Sequence, residues 1–221
     1  TEKGYSNLFA IFLKNTSIIM VIETTKIEEI RSEVINLCKE QTFVHSTWYV
    51  KYHLEIVEAI SMELCQIYKD ANREWVKLLV WMHDFEKIVS NGSIYKGTSG
   101  KKFLIHHEFP DDAISKILSD IEIFNRKEPK EIKKSSIEIQ IVSSADGASH
   151  MVGPFYNIYW WENFEKPIEE IIANNLIKIS QDWENKIVLP EVKAAFQESF
   201  NNLQNSFHNK IPFTLLKKTE I

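Results

Sequence analysis

Turn-forming residues and thiols are scarce in this chain. Six glycines and six prolines among 221 residues disfavour a turn-rich β architecture, which needs them at its reversals. The two cysteines, Cys38 and Cys65, each sit inside a helical pattern, and neither belongs to a C-x-x-C. They read as free core thiols, which implies a reducing compartment and hence a cytoplasmic location. A block of lysine and arginine is also missing. With a net charge of −5, general binding to nucleic acid or to an anionic membrane is disfavoured. The densest basic stretch, "RKEPKEIKK" (126–134), contains two glutamates and reads as a solvated helix start. The apolar stretch "NLFAIFLKNTSIIMVI" (7–22) is broken by Lys14, Asn15, Thr16 and Ser17, so it is a poor bilayer span. No basic start or small-residue cleavage site frames it as a signal peptide. Met20 is a candidate start, which would make residues 1–19 an upstream extension.

What remains is apolar and periodic. Hydrophobic residues make up 44% of the chain, enough for an ordinary core, and their spacing is helical nearly throughout. "TTKIEEIRSEVINLC" places Ile27, Ile30, Val34 and Leu37 on one face, with Thr25 and Glu28 forming a capping box ahead of it. A second helix is predicted from about Trp48 to Tyr68, with His53, Val57, Ile60 and Leu64 on one stripe. A third covers about 72–89, followed by a glycine-bearing loop at 90–102. Pro110 suits the first turn of a helix with Ile114, Ile117, Leu118 and Ile121 inward. Pro129 starts another, on which Ile132, Ile139, Val142 and Asp146 share a face, ended by "GPF" at 153–155. An aromatic connector, "FYNIYWWENF" (155–164), leads to two amphipathic helices carrying Ile168, Ile171, Ile172, Leu176 and Ile179, then Val192, Phe196, Leu203 and Phe207. The expectation is an all-α bundle. It divides into an N-terminal extension at 1–25, a helical core at 26–155, and C-terminal helices at 156–221 packed on that core.

Three of these apolar stripes are interrupted by residues that bind metals. His53 lies on the second helix, His83 with Asp84 on the third, and Asp146 on the fifth. Burying an ionisable pair inside "LLVWMHDFEKI" (78–88) is costly unless something compensates it. A divalent cation held by neutral imidazole and carboxylate would do so. Any one such histidine alone is better read as a core residue with an ordinary partner; four ligand-type residues in this order favour the metal.

The order His53, "HD" at 83–84, then Asp146 resembles the H…HD…D signature of the HD-domain superfamily of metal-dependent phosphohydrolases. The likeness covers roughly residues 28–155. "HDFEK" is similar to the HDxGK form, with Glu86 where glycine is usual. "HHEFPDDAISKIL" (106–118) and "SSADGASHM" (143–151) resemble the segments that follow. The resemblance implies a helical bundle holding one divalent metal ion (Mn, Mg, Fe, Ni, Co or Zn) through His53, His83, Asp84 and Asp146. It also implies hydrolysis of a phosphoester of a small metabolite or nucleotide by metal-activated water, with Asp84 both binding metal and orienting that water. One of His106 and His107 would take the place of the family's next histidine. Its role would be phosphate binding, proton donation or ligation of a second metal, unless the two are simply loop histidines. Lys87 would reach a substrate phosphate or pair with a nearby carboxylate. It stands where deoxynucleoside-monophosphatase relatives carry a catalytic glutamate, which lowers the expectation of that activity.

Other residues keep two readings. His150, four residues after Asp146, either bonds it, faces the pocket or packs. His45 rims the pocket or serves the start of the second helix. Trp160 and Trp161 stack a nucleobase or pack. His208 has no functional reading. Two rivals stand beside the phosphohydrolase: a di-iron oxygenase of the same superfamily, which would need a further ligand that "DIEIFNRKEPK" does not offer, and a metal-binding regulatory module without turnover. A homodimer stays open.

Overall fold

The computed structural model describes residues 12–14, 17–19, 23–40, 43–45, 47–89 and 100–207. Met20, residues 90–99 of the expected loop, and His208 lie outside the described residues. The fold is helical. A short antiparallel hairpin, β1 (Phe12–Lys14) and β2 (Ser17–Ile19), precedes α1 (Thr24–Leu37). α2 begins with a π-helical turn at Val50–Leu54 and continues as Glu55–Ile67. Then come α3 (Arg73–Met82), α4 (Phe85–Val89), α5 (Gly100–His106), α6 (Asp111–Asn125) and α7 (Pro129–Lys134). α8 (Ile137–Ser149), α9 (Phe155–Glu162) and α10 (Ile168–Gln181) follow. A second π-helical turn, Asp182–Lys186, leads to α11 (Pro190–Ser206). No helix among the described residues is long and apolar enough to cross a membrane. Cys38 and Cys65 are both free thiols.

α8 is the axis of the bundle. Every residue from 141 to 150 is buried, and α2, α3, α6, α7, α11 and the Asp182–Lys186 turn all pack on it. A helix covered on all sides has no polar face, and the run "SSADGAS" explains how neighbours come so close: its side chains are small. Gly147 is the tightest point. A Cβ there would lie 2.9 Å from Ile187 Cγ1, 3.0 Å from Lys186 Cβ and 3.1 Å from the Asp182 carbonyl oxygen. The serines of α8 then fasten what the glycine admits. Ser143 Oγ donates to the Lys186 carbonyl at 3.0 Å, and Ser144 Oγ accepts the Val188 and Leu189 amides at 3.1 and 3.2 Å.

Most expected inward faces are buried: Ile27, Ile30, Val34 and Leu37 on α1, Val57 and Leu64 on α2, and Ile114 and Ile117 on α6. Several boundaries differ. The Thr25–Glu28 capping box does not form. α1 starts at Thr24 with Glu23 as its N-cap and no side-chain cap bond, so Thr25 is already helical and cannot serve as the flanking residue a cap requires. The helix expected from Pro129 is two helices. Ser135 and Ser136 are extended, with ψ of 179° and 158°. Ser135 Oγ turns back to the Ile132 carbonyl at 2.6 Å, the local competition by which serine interrupts helices. Residues 100–102, expected as loop, begin α5, and the aromatic connector is largely α9.

Gly147→Ala is expected to push the Asp182–Lys186 turn off α8. An overpacked core position costs about 1–3 kcal/mol, and in a chain of this size that lowers Tm by roughly 2–12 °C; thermal melts of the two proteins measure it.

Candidate metal centre

Three structural elements deliver the ligand-type side chains. His53 is on the π-helical turn that opens α2, where it and Leu54 are buried. π-turns inside helices often occur at functional sites because they re-aim a side chain. His83 and Asp84 occupy the junction between α3 and α4. Backbone bonds His83 N–H to Leu79 O at 2.9 Å and Ile88 N–H to Asp84 O at 3.0 Å continue helical bonding on either side of it. Asp146 and His150 lie one turn apart at the end of α8.

The structure brings His53, His83, Asp84 and Asp146 together around one atom. His53 Nε2 is 3.3 Å from His83 Nε2, 3.5 Å from Asp84 Oδ2 and 3.8 Å from Asp146 Oδ1. His83 Nε2 is 3.4 Å from the same Asp84 oxygen. The tautomers follow from the other ring nitrogens. His83 Nδ1 faces the Val80 carbonyl at 2.7 Å, and a carbonyl only accepts, so Nδ1 carries the hydrogen. Ser149 Oγ donates its one hydrogen to the Asp146 carbonyl at 2.7 Å. It must therefore accept from His53 Nδ1 at 2.9 Å. In neutral rings so bonded, both Nε2 atoms present lone pairs, and they face each other. Two acceptors at that separation repel unless a proton or a metal ion lies between them. Burial pushes His53 down to about 4, which disfavours the proton at neutral pH, and the adjoining carboxylate oxygens favour a doubly charged ion.

The spacing fits. Ligands about 2.0–2.1 Å from a tetrahedral zinc-like ion are about 3.3 Å apart, and the His53–His83–Asp84 triangle has edges of 3.3, 3.4 and 3.5 Å. A second set, His53, Asp146 and His150, also has its ligand atoms within 4.8 Å of one another. It is looser, with His150 Nε2 3.7 Å from Asp146 Oδ1. The described residues thus contain a buried cluster able to hold a metal ion.

Surrounding groups hold the cluster in place. Tyr49, buried, donates its hydroxyl to Asp84 Oδ2 and accepts the Lys87 ammonium at 3.0 Å. His45 stacks on Tyr49, with centroids 5.3 Å apart, and pairs with Glu162 of α9 at 2.9 Å, while Trp48 Nε1 donates to the other Glu162 oxygen. His150 Nδ1 binds Asp182 Oδ2 at 2.8 Å, the carboxylate–histidine arrangement that orients metal ligands. Lys186 reaches Asp146 Oδ2 at 2.7 Å and Asp182 Oδ1 at 3.2 Å, and Lys178 reaches Asp182 Oδ2 at 3.1 Å. Burial alone would raise Asp146; Lys186, together with the neighbouring His150, His83 and His53, outweighs it and holds the carboxyl well below its usual range. Burial likewise opposes the charged form of Asp84, and His83, Lys87 and His53 together overcome it. Burial pushes His150 down to about 3.

A cavity of roughly 210 Å³ opens beside the cluster, lined by His83, Asp84, Asp146 and His150 together with Lys87, Lys127, Lys178 and Lys186. Lys87 is therefore at the site, bonded to Tyr49 and 3.7 Å from Asp84. His106 and His107 are not brought to it. They line a separate groove on α1, where His107 Nε2 lies 3.0 Å from Glu33 Oε2 and the His107 carbonyl accepts Lys26. The reason is the short α5, which ends at His106 and carries both residues to the α1 side. Trp160 packs against Phe207 and Trp161 is exposed; neither lines the cavity.

Tyr49, Lys178, Asp182 and Lys186 escaped the sequence reading. The last three offered one signal, charged residues at i, i+4 and i+8 on consecutive turns, but such spacing more often marks a solvated face. Fold and site together define an all-α protein with a buried histidine–aspartate cluster able to hold a metal ion. No family model, no curated protein and no solved structure matches the chain.

The metal-free protein should lose stability as pH falls from about 6.5 to about 4. Unfolded histidine takes up a proton near 6.5, whereas His53 stays neutral in the fold until about 4. The unfolded state therefore binds the extra proton across that window, and stability declines on the order of a few kcal/mol. Urea midpoints in chelator measure it, and saturating divalent metal should raise stability across this window without changing the slope.

Proposed function

We propose that this chain is a metal-dependent phosphohydrolase of the HD-domain kind, acting on a phosphoester of a small metabolite or nucleotide. The supporting observation is the triangle of His53, His83 and Asp84 donor atoms beside a lysine-lined cavity. His53, His83 and Asp84 would hold the ion, with Asp146 and His150 on the adjoining side. Bound there, a divalent ion supplies Lewis-acid polarisation of a phosphoryl oxygen and a water acidic enough to react near neutral pH.

The chain's own groups do the rest. The Val80 carbonyl and Ser149 hydroxyl lock the two imidazoles in the ligating tautomer. Tyr49 and Lys87 fix Asp84 from one side, and Lys186 fixes Asp146 from the other, leaving Asp146 Oδ1 toward His53. Lys87, Lys127 and Lys178 give the cavity wall a positive lining that suits a phosphoryl group. Phe124 and Phe155 close part of that wall with apolar surface, and water excluded there strengthens each charge contact. A cavity of roughly 210 Å³ is smaller than the about 300–1,000 Å³ of pockets that enclose drug-sized ligands. It suits a phosphoryl group with a compact remainder better than a fully enclosed nucleotide. Both possible ligand sets use His53 Nε2, and its single lone pair serves a single ion. The dinuclear oxygenase therefore gains no support from this cluster.

The test is metal content together with hydrolysis of p-nitrophenyl phosphate in Mn, Mg, Ni or Co. Wild type should carry one ion per chain, and Asp84→Ala should lose the ion and at least about a hundredfold in turnover. Undiminished turnover from metal-free protein would end this reading.

A further inference from the structure

We propose that a divalent cation and a dianionic oxyanion load this cavity together, each strengthening the binding of the other. The inference rests on the metal reading of the His53 cluster and adds a substrate class: a phosphomonoester terminus, not a phosphodiester.

Charge balance carries it. The cluster's three carboxylates are matched one to one by lysines: Asp84 by Lys87 at 3.7 Å, Asp146 by Lys186 at 2.7 Å, and Asp182 by Lys178 at 3.1 Å. His53 Nδ1 and His83 Nδ1 face Ser149 Oγ and the Val80 carbonyl, which leaves their Nε2 atoms as the ligand atoms. A divalent ion entering this setting meets good ligand atoms but no net negative field. Lys186, pressed against Asp146, opposes it directly. Once seated, the ion leaves the cluster with two excess positive charges in a partly enclosed space where charge is poorly screened. An oxyanion carrying two negative charges restores the balance. A phosphomonoester carries close to two near neutral pH; a phosphodiester carries one.

The mouth of the cavity supports the same assignment. Lys127 follows the end of α6 with a left-handed backbone, φ 56°, a conformation uncommon outside glycine and asparagine. It is exposed, lines the cavity, and its ammonium makes no ion pair or hydrogen bond among the described residues. It is the lining lysine not committed to a carboxylate, and so adds a charge for the anion to meet.

Binding of Mn²⁺ can be followed through the resonance of the free ion, with and without inorganic phosphate, against protein-free blanks at the same phosphate concentration. Saturating phosphate should tighten Mn²⁺ binding by about tenfold or more, and Mn²⁺ should tighten phosphate binding by the same factor. Lys127→Gln, a change at an exposed position, should reduce that factor to within about threefold, with Mn²⁺ binding in the absence of phosphate unchanged or tighter. Equal Mn²⁺ affinity with and without phosphate would overturn the coupling while leaving the metal site standing. No Mn²⁺ binding under either condition would overturn both. Full coupling in Lys127→Gln would remove Lys127 from the anion site.

Discussion

Two imidazole nitrogens face each other across 3.3 Å in the interior of this bundle, and each is held with its lone pair toward the other. Left alone, that contact is repulsive. It persists because the elements carrying the rings are fixed by unrelated packing. α2 brings His53 against α8, and the α3–α4 junction brings His83 from a helix whose buried residues include Trp75, Leu78, Leu79 and Trp81. Neither ring can turn away without giving up a hydrogen bond inside the protein, and a buried donor left unpaired costs about 1–3 kcal/mol. The fold therefore concentrates electron-pair donors at one point, the property a cation site needs.

The C-terminal helices are part of that site, not a cover over it. Alongside Lys178 of α10 and Glu162 of α9, much of their contribution enters through the Asp182–Lys186 turn, seated on α8 where Gly147 has no side chain. From there Lys186 neutralises Asp146, and Asp182 holds His150. Burying such a network is expensive unless each member is matched, and here lysines and carboxylates alternate through contact distances. The same matching that makes the network tolerable leaves the cluster electrically neutral, which distinguishes it from a site whose carboxylates wait unpaired for a metal.

Much of the helical framework was readable beforehand because burial follows period. Ile27, Ile30, Val34 and Leu37 sit at spacings only a helix lines up, and all four are buried. Breaks were harder to see. Ser135 and Ser136 separate Ile132 from Ile139, whose seven-residue spacing still reads as one helical face, and the hydroxyl bond responsible has no signature in the pattern. The capping box failed for a related reason: its residues suit a cap, but the helix begins one position before Thr25.

The candidate site divides in the same way. Sequence order and helical phase marked His53, His83, Asp84 and Asp146, because a polar residue on an apolar stripe must point where its neighbours point. They could not say that His106 and His107 end on the far side of α5, toward α1. Nor could they select Tyr49 from among seven tyrosines, or join Asp182 and Lys186 to a helix some forty residues earlier. Periodicity determines which face of a segment is buried. Which segments share that burial depends on close approach, set by a missing Cβ and two serine hydroxyls, and only the folded chain decides it.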